Sequence, residues 1–340
     1  MKNKILNIAV IIISLVIFLY FLLYKHGLSQ LISVFKIINH LYLLVAIALM
    51  FIYWAFEVFI IHELTRLLYS THKFRKSIKA AMVGQLFASI TPLQTGAQPA
   101  IFYILTEEGI DSGTASSILM MKFIVHQTVM TIYSFIIIIL KFSYFKSMIP
   151  GLFYLCIVGF VVNSGIIIIA VMFSINKTFT KNLLLGIYKL FDRINLIKNL
   201  KKSESKLKKS LVGFYDNAEL IAKNYKVIIK VAIINTAQLT VFYVIPYVIY
   251  RSFNLESASL WNMLAAQTLV MTIVSITPLP GGAGGAEGGF TLIFSAFFKE
   301  KIIPAVILWR IITYYSCILI GALFSIHLPK SKVKDSLKQK

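Results

Sequence analysis

Two ionisable residues stand where the surrounding sequence otherwise avoids charge. Glu287 lies in Ser275-Ile-Thr-Pro-Leu-Pro-Gly-Gly-Ala-Gly-Gly-Ala-Glu-Gly-Gly289, with apolar residues on both sides. Arg310 lies in Leu308-Trp-Arg-Ile-Ile-Thr-Tyr-Tyr315, inside the next apolar run. Charge at such positions is costly and faces a cavity or a partner. The guanidinium fork of Arg310 suits a phosphate, and Glu287 suits a cationic group or Arg310 itself. A phosphate site and a structural Glu287–Arg310 pair are both open readings. Glu57 lies deep in an earlier apolar run, and Lys122 and His126 sit one turn apart at the start of another. Lys122 also fits a snorkelling side chain, and His126 fits a packed polar residue. Gln98, beside Pro99, is the best uncharged candidate for a substrate contact. The site expected from these residues joins Glu287, Arg310 and Gln98 to the backbone breakers Pro92, Gly96, Pro278, Pro280, Gly281 and Gly282.

Those breakers define the elements that must hold the site. Proline removes a backbone donor and glycine loosens a helix, so 275–289 breaks a helix that its flanks would continue. Broken backbone at membrane depth survives only where protein or a water-filled cavity satisfies it. The earlier stretch Ser89-Ile-Thr-Pro-Leu-Gln-Thr-Gly-Ala-Gln-Pro-Ala100 reads as a copy. With Ser89 set on Ser275, the residues Ser, Ile, Thr, Pro, Leu, Gly, Ala and Ala coincide without a gap. Matching interruptions in two halves of a membrane protein point to a transporter-type binding site. The glycine pairs four residues apart also fit close helix packing, but packing does not account for the prolines and Glu287.

Apolar runs at about 5–24, 41–62, 118–140, 149–174, 226–250 and 302–327 are each long enough to cross a bilayer. The broken segments lie at about 80–105 and 260–298. Lysine and arginine mark the N-terminus, the loop 66–79, the loop 176–225 and the tail as cytoplasmic. By parity, 80–105 then enters and leaves on the cytoplasmic side, and 260–298 on the opposite side. The expected fold is an all-α polytopic membrane protein of about six full spans plus two re-entrant hairpins in an inverted repeat. It forms a single domain over 1–340, with repeat one at about 41–174, a cytoplasmic loop at 176–225 and repeat two at about 226–327. In that loop Leu207, Leu211, Phe214, Ala218 and Ile221 recur at helical spacing among lysines. They suggest amphipathic helices against anionic lipid headgroups.

Hydrophobic residues make up 58% of the chain and charged ones 14%, against about 25% charged in soluble domains. The formal net charge of +21 sits in loops, which favours anionic lipid over nucleic acid as the partner. Cys156 and Cys317 lie in apolar runs and read as buried small hydrophobes. No metal spacing, cofactor loop, serine elbow or other catalytic constellation stands out.

At Thr91-Pro-Leu-Gln-Thr-Gly-Ala-Gln-Pro99, Thr277-Pro-Leu-Pro-Gly-Gly-Ala-Gly-Gly-Ala-Glu287 and Arg310-Ile-Ile-Thr313 the sequence resembles the lysylphosphatidylglycerol synthase transmembrane family. This is the flippase-like membrane half of bacterial phosphatidylglycerol lysyltransferases. The resemblance spans roughly residues 5–328. It implies a bacterial inner-membrane protein that binds and translocates a phospholipid, such as aminoacylated phosphatidylglycerol, or a polyprenyl-linked lipid. The alternative it implies is lysyl-tRNA-dependent lysylphosphatidylglycerol synthesis, with resistance to cationic antimicrobial peptides. The family's synthetic domain is expected to be missing, because the sequence stops at Lys340, soon after the last span. A separate aminoacyl-tRNA-dependent transferase is then a further partner that the resemblance implies.

The charge asymmetry sets a first test. A cysteine placed at Ser205 should resist a membrane-impermeant thiol reagent in intact cells and react after lysis. Labelling in intact cells would contradict the assignment.

Overall fold

The structure, a computed structural model, describes residues 38–148, 150–193 and 200–326. The span expected at 5–24 and the basic tail lie outside the described residues. The described apolar runs become helices, several of which start at a side-chain cap. α1 (His40–Leu68) begins at Asn39, whose side-chain oxygen accepts the Leu41 N–H at 3.0 Å. α2 (Phe74–Ile90) and α3 (Ala97–Glu107) are the two arms of the first broken segment. α4 (Ser112–Leu140) begins at Asp111, which accepts from the Thr114 N–H at 3.0 Å and from the Thr114 hydroxyl. Burial works to raise the Asp111 carboxyl, but the hydrogen bonds from Thr114 and from the backbone of the turn together hold the group below its ordinary value.

α5 (Phe142–Met148) and α6 (Pro150–Ile175) lead to the basic central region, which forms α7 (Lys177–Arg193) and α8 (Leu200–Lys223). α9 (Tyr225–Ser252) precedes the second broken segment, whose arms are α10 (Leu260–Ser275) and α11 (Gly285–Phe298). A 3₁₀ turn at Lys299–Lys301 leads into α12 (Ile302–Arg310). A π-helical turn at Ile311–Tyr315 joins α12 to α13 (Ser316–Ser325). Among the described residues α1, α4, α6, α9 and the run from α11 through α13 are long and apolar enough to cross a bilayer. Large side chains such as Val161, Ile168 and Ile169 on α6 remain exposed, as lipid-facing residues do.

α1 and α9 run antiparallel. The Asn39 N–H donates to the Ser252 carbonyl at 2.7 Å at one end of the bundle. Lys230 Nζ lies 2.8 Å from Glu63 Oε1 towards the other. The first hairpin, α2–α3, starts just after Leu68, and the second, α10–α11, starts just after Ser252. The hairpins therefore enter from opposite ends, and their tips meet at an antiparallel backbone bridge between Pro92 and Pro280. The all-α polytopic architecture and its inverted hairpins match the expectation from sequence.

One detail of that expectation needs correction. The turn bonds Gln94 N–H to Thr91 O, Thr95 N–H to Pro92 O and Ala100 N–H to Gly96 O recur in the second hairpin. There they run from Gly282 to Leu279, Ala283 to Pro280 and Gly288 to Gly284. The backbone counterpart of Pro92 is thus Pro280 and not Pro278, a shift of two residues from the ungapped match by sequence. The left-handed residues agree with this register: Leu93 and Gln94 have φ of 51° and 57°, and Gly281 and Gly282 have 58° and 65°. Two side-chain-bearing residues hold in the first tip a conformation that glycine supplies freely in the second, at about 1–2 kcal/mol each.

The ends of the hairpins are braced as well as their tips. His72 Nδ1 lies 3.0 Å from Glu108 Oε2 and His72 Nε2 lies 2.8 Å from Ser77 Oγ, which ties the two feet of the first hairpin together. This row of serine, histidine and acid is no nucleophile, since Ser77 is fully buried. α13 packs on α2 through Gly321, where an added Cβ would come within 2.6 Å of the Met82 carbonyl. α8 buries Phe214, Tyr215, Ala218 and Ile221, and Asn217 donates to the Thr114 hydroxyl at 2.8 Å. The apolar face expected from its periodicity therefore packs on α4.

An antiparallel bridge brings Cα atoms to about 4.5–5.5 Å, within the range a disulfide spans. Pro92→Cys with Pro280→Cys, in a chain whose Cys156 and Cys317 are serine, should cross-link on mild oxidation. The mobility shift on non-reducing electrophoresis checks it, and neither single variant should show it.

Candidate functional site

The helix after the second hairpin carries Arg310 to the tip of that hairpin. Its Nε lies 2.7 Å from Glu287 Oε1, and its Nη2 lies 2.7 Å from the same oxygen. Nη1 and Nη2 donate to the Gly281 carbonyl at 3.2 Å and 3.3 Å. Glu287 in turn accepts the Gly284 N–H through Oε2 at 2.7 Å, which caps the start of α11. The Tyr314 ring, one turn beyond Arg310, lies 4.3 Å from the guanidinium. The π-helical turn that begins after Arg310 widens the helix here, as such turns do at functional sites. Gly281 is required twice over. Its φ is positive, and a Cβ would fall 2.0 Å from the Tyr314 ring.

Four of the five N–H hydrogens of the guanidinium are engaged in this way, leaving one on Nη1 for a further acceptor. Arg310 is buried, while Glu287 keeps 30% of its side chain exposed. The arrangement is a clamp in which one carboxylate and one backbone carbonyl hold the guanidinium.

A cavity of about 130 Å³ lies where the tips meet, with Arg310 in its wall. Gln85, Ser89 and Gln94 line it from the first hairpin, and Val274, Gly281 and Ala286 from the second. Tyr53 of α1 and His126 of α4 close another side. Tyr314 spans the junction, its hydroxyl donating to the Ser89 carbonyl at 3.2 Å. Phe290 stacks between Trp309, at 4.6 Å, and Phe294, at 4.3 Å, which fixes the helix that bears Arg310.

Beyond His126 the buried polar groups continue. Lys122 Nζ lies 2.7 Å from Glu57 Oε1. Gln238 donates to Glu57 Oε2 at 3.1 Å, Asn235 donates to Gln238 Oε1 at 2.8 Å, and Asn235 Nδ2 lies 3.1 Å from His126 Nδ1. His126 lines both the central cavity and the small gap beside this pair.

The residues singled out in the sequence divide into two groups. Glu287, Arg310 and Gly281 meet directly, and Pro92 and Pro280 form the bridge between the tips. Gln98 lies elsewhere, in an apolar cavity of about 800 Å³ between α3, α4, α6 and α8. Gly96 is spent inside its own turn, its N–H donating to the Thr91 hydroxyl at 2.8 Å. Gly282 packs against Val274, and Pro278 is exposed. Tyr53, Trp309 and Tyr314 belong to the site but were not singled out. For Tyr314 and Trp309 a signal was present, since both lie within one turn of Arg310.

The fold and this site define a multi-pass helical membrane protein with a charged, broken-helix centre. The sequence profile described as the lysylphosphatidylglycerol synthase TM region matches residues 5–321, and the chain belongs to that family. It is similar to a UPF0104 membrane protein of Archaeoglobus fulgidus, 25% identical over 335 residues. That match covers 93% of this chain and 96% of the relative.

The clamp predicts an asymmetry between its two sides. Arg310→Gln leaves Glu287 without its cation and the Gly281 carbonyl without its donors, and should destabilise by about 3–5 kcal/mol. Glu287→Gln keeps an acceptor for Arg310 and should cost about 1–3 kcal/mol. Thermal unfolding of the detergent-purified variants, followed by intrinsic fluorescence, measures the order.

Proposed function

We propose that this protein binds the phosphate of a membrane lipid at Arg310 and moves the lipid between the leaflets of a cell membrane. The observation that carries the reading is the junction itself. Two broken hairpins from opposite ends of a lipid-facing bundle meet at a cavity lined in part by Gln85, Gln94 and Arg310, and the cation in its wall is held by a partly exposed carboxylate. Such midplane junctions serve transport of a polar group across an apolar barrier. The planar fork of Arg310 suits a phosphate better than an ammonium would. In this reading the lysine-rich end bearing α7 and α8 faces the cytoplasm and its anionic leaflet. The family description supports a lipid as the cargo.

The test is lipid movement in vesicles. Purified protein in liposomes carrying NBD-labelled phosphatidylglycerol should increase the fraction bleached by external dithionite above that of empty vesicles. Arg310→Lys keeps the charge without the fork and should slow the movement by roughly tenfold, about 1.4 kcal/mol. Bleaching equal to empty vesicles would contradict the proposal.

A further inference from the structure

The second buried charge pair, Glu57 with Lys122, has no part in the clamp. It lies inside the spans, with side chains only 9% and 11% exposed. A buried ion pair is a poor stabiliser compared with apolar packing of similar volume, so bracing alone is a weak reason for it. Its surroundings give a better one. Glu57 lies one turn beyond the cavity residue Tyr53, and Lys122 one turn before the cavity residue His126. His126 is shared between the cavity and the gap beside the pair. Further along α1, Glu63 meets Lys230 at 2.8 Å, where the lysine is 57% exposed. Glu57 and Glu63 are separated by about 9 Å along the helix axis. The cations Arg310, Lys122 and Lys230 thus stand in series from the central cavity to the end of the bundle where α1 finishes.

The repeat gives the same answer. Lys122 lies in the helix that follows the first hairpin, and Arg310 in the helix that follows the second. Each is a lysine or arginine held at 2.7 Å by a carboxylate. In the backbone register of the tips, Pro99 occupies in the first hairpin the place of Glu287 in the second. The first repeat draws its carboxylate from α1 instead.

From this we infer that Lys122 is a second phosphate station, which an anionic lipid headgroup occupies between the α1 C-terminal end of the bundle and Arg310. The inference rests on the lipid-moving reading above. At this station the phosphate displaces Glu57, as it displaces Glu287 at Arg310. The gap beside the pair has no room for a water molecule, so the station is shut in this conformation. It opens when α1 and α4 part. Lys230, with Glu63 as its exchangeable partner, is the entry to the path.

The test uses the full chain and the NBD-phosphatidylglycerol vesicles. Glu57→Gln with Lys122→Met removes both charges together, so neither is left buried and unpaired. This double variant should fold, keep the lipid bound at Arg310 by native mass spectrometry, and move lipid at least tenfold more slowly. Lys122→Arg should retain most of the rate. Lys230→Gln removes an exposed lysine at the end of the bundle and should slow movement several-fold. A double variant that moves lipid at the wild-type rate overturns the inference while leaving the lipid-moving reading in place. Wild type no faster than empty vesicles fails the reading itself. If the double variant does not fold, Lys230→Gln decides, and an unchanged rate overturns the path. Delipidated wild type that binds inorganic phosphate, in a manner lost in the double variant while lipid movement is unchanged, assigns the station to free phosphate and also overturns it.

Discussion

Arg310 holds together a backbone that could not otherwise sit where it does. The tip of the second hairpin exposes carbonyls and N–H groups far from bulk water, and each needs a partner. Arg310 donates to the Gly281 carbonyl, and Glu287 accepts from the Gly284 N–H. The ion pair joins the two into one unit. Arg310 and Gly281 of that unit also line the central cavity. Residues that hold the tip are therefore also residues of the cavity wall.

The first hairpin solves the same problem by other means. It carries no carboxylate at the position equivalent to Glu287, and its turn is closed by the Thr91 hydroxyl and by strained Leu93 and Gln94. Tyr314 reaches across from the second half to satisfy the Ser89 carbonyl. The two tips are thus alike in backbone and unlike in chemistry. One tip can yield when its ion pair opens, and the other is held by short-range hydrogen bonds. That difference leaves the second tip, unlike the first, dependent on an ion pair.

Much of this was legible in the sequence because membrane depth leaves few options. The prolines and glycines at 92–99 and 278–289 could only be tolerated at a junction, and Glu287 with Arg310 could only be tolerated as partners or around a ligand. Lysine-rich loops fixed the parity that sends the hairpins in from opposite ends. The register of the tips was not legible. Thr-Pro-Leu recurs in both copies, and identity of residues outweighed the two extra residues that the second tip spends before its turn. Gln98 lies away from the central cavity for a related reason. It stands next to the break in sequence, but α3 has already started at Ala97, and the helix turns it towards the apolar cavity under α8. Tyr53 comes from a helix distant in sequence, and no local pattern marks a residue that only tertiary packing brings to the site.

A phosphate site at Arg310 is tested most directly by the mass of the purified protein. Native mass spectrometry from mild detergent should show wild-type protein carrying an adduct of phospholipid mass. Arg310→Lys, folded by its thermal transition, should lose most of that adduct. An equal adduct on both would contradict the claim that the junction of the two hairpins is a phosphate site, and would leave the clamp with a purely structural role.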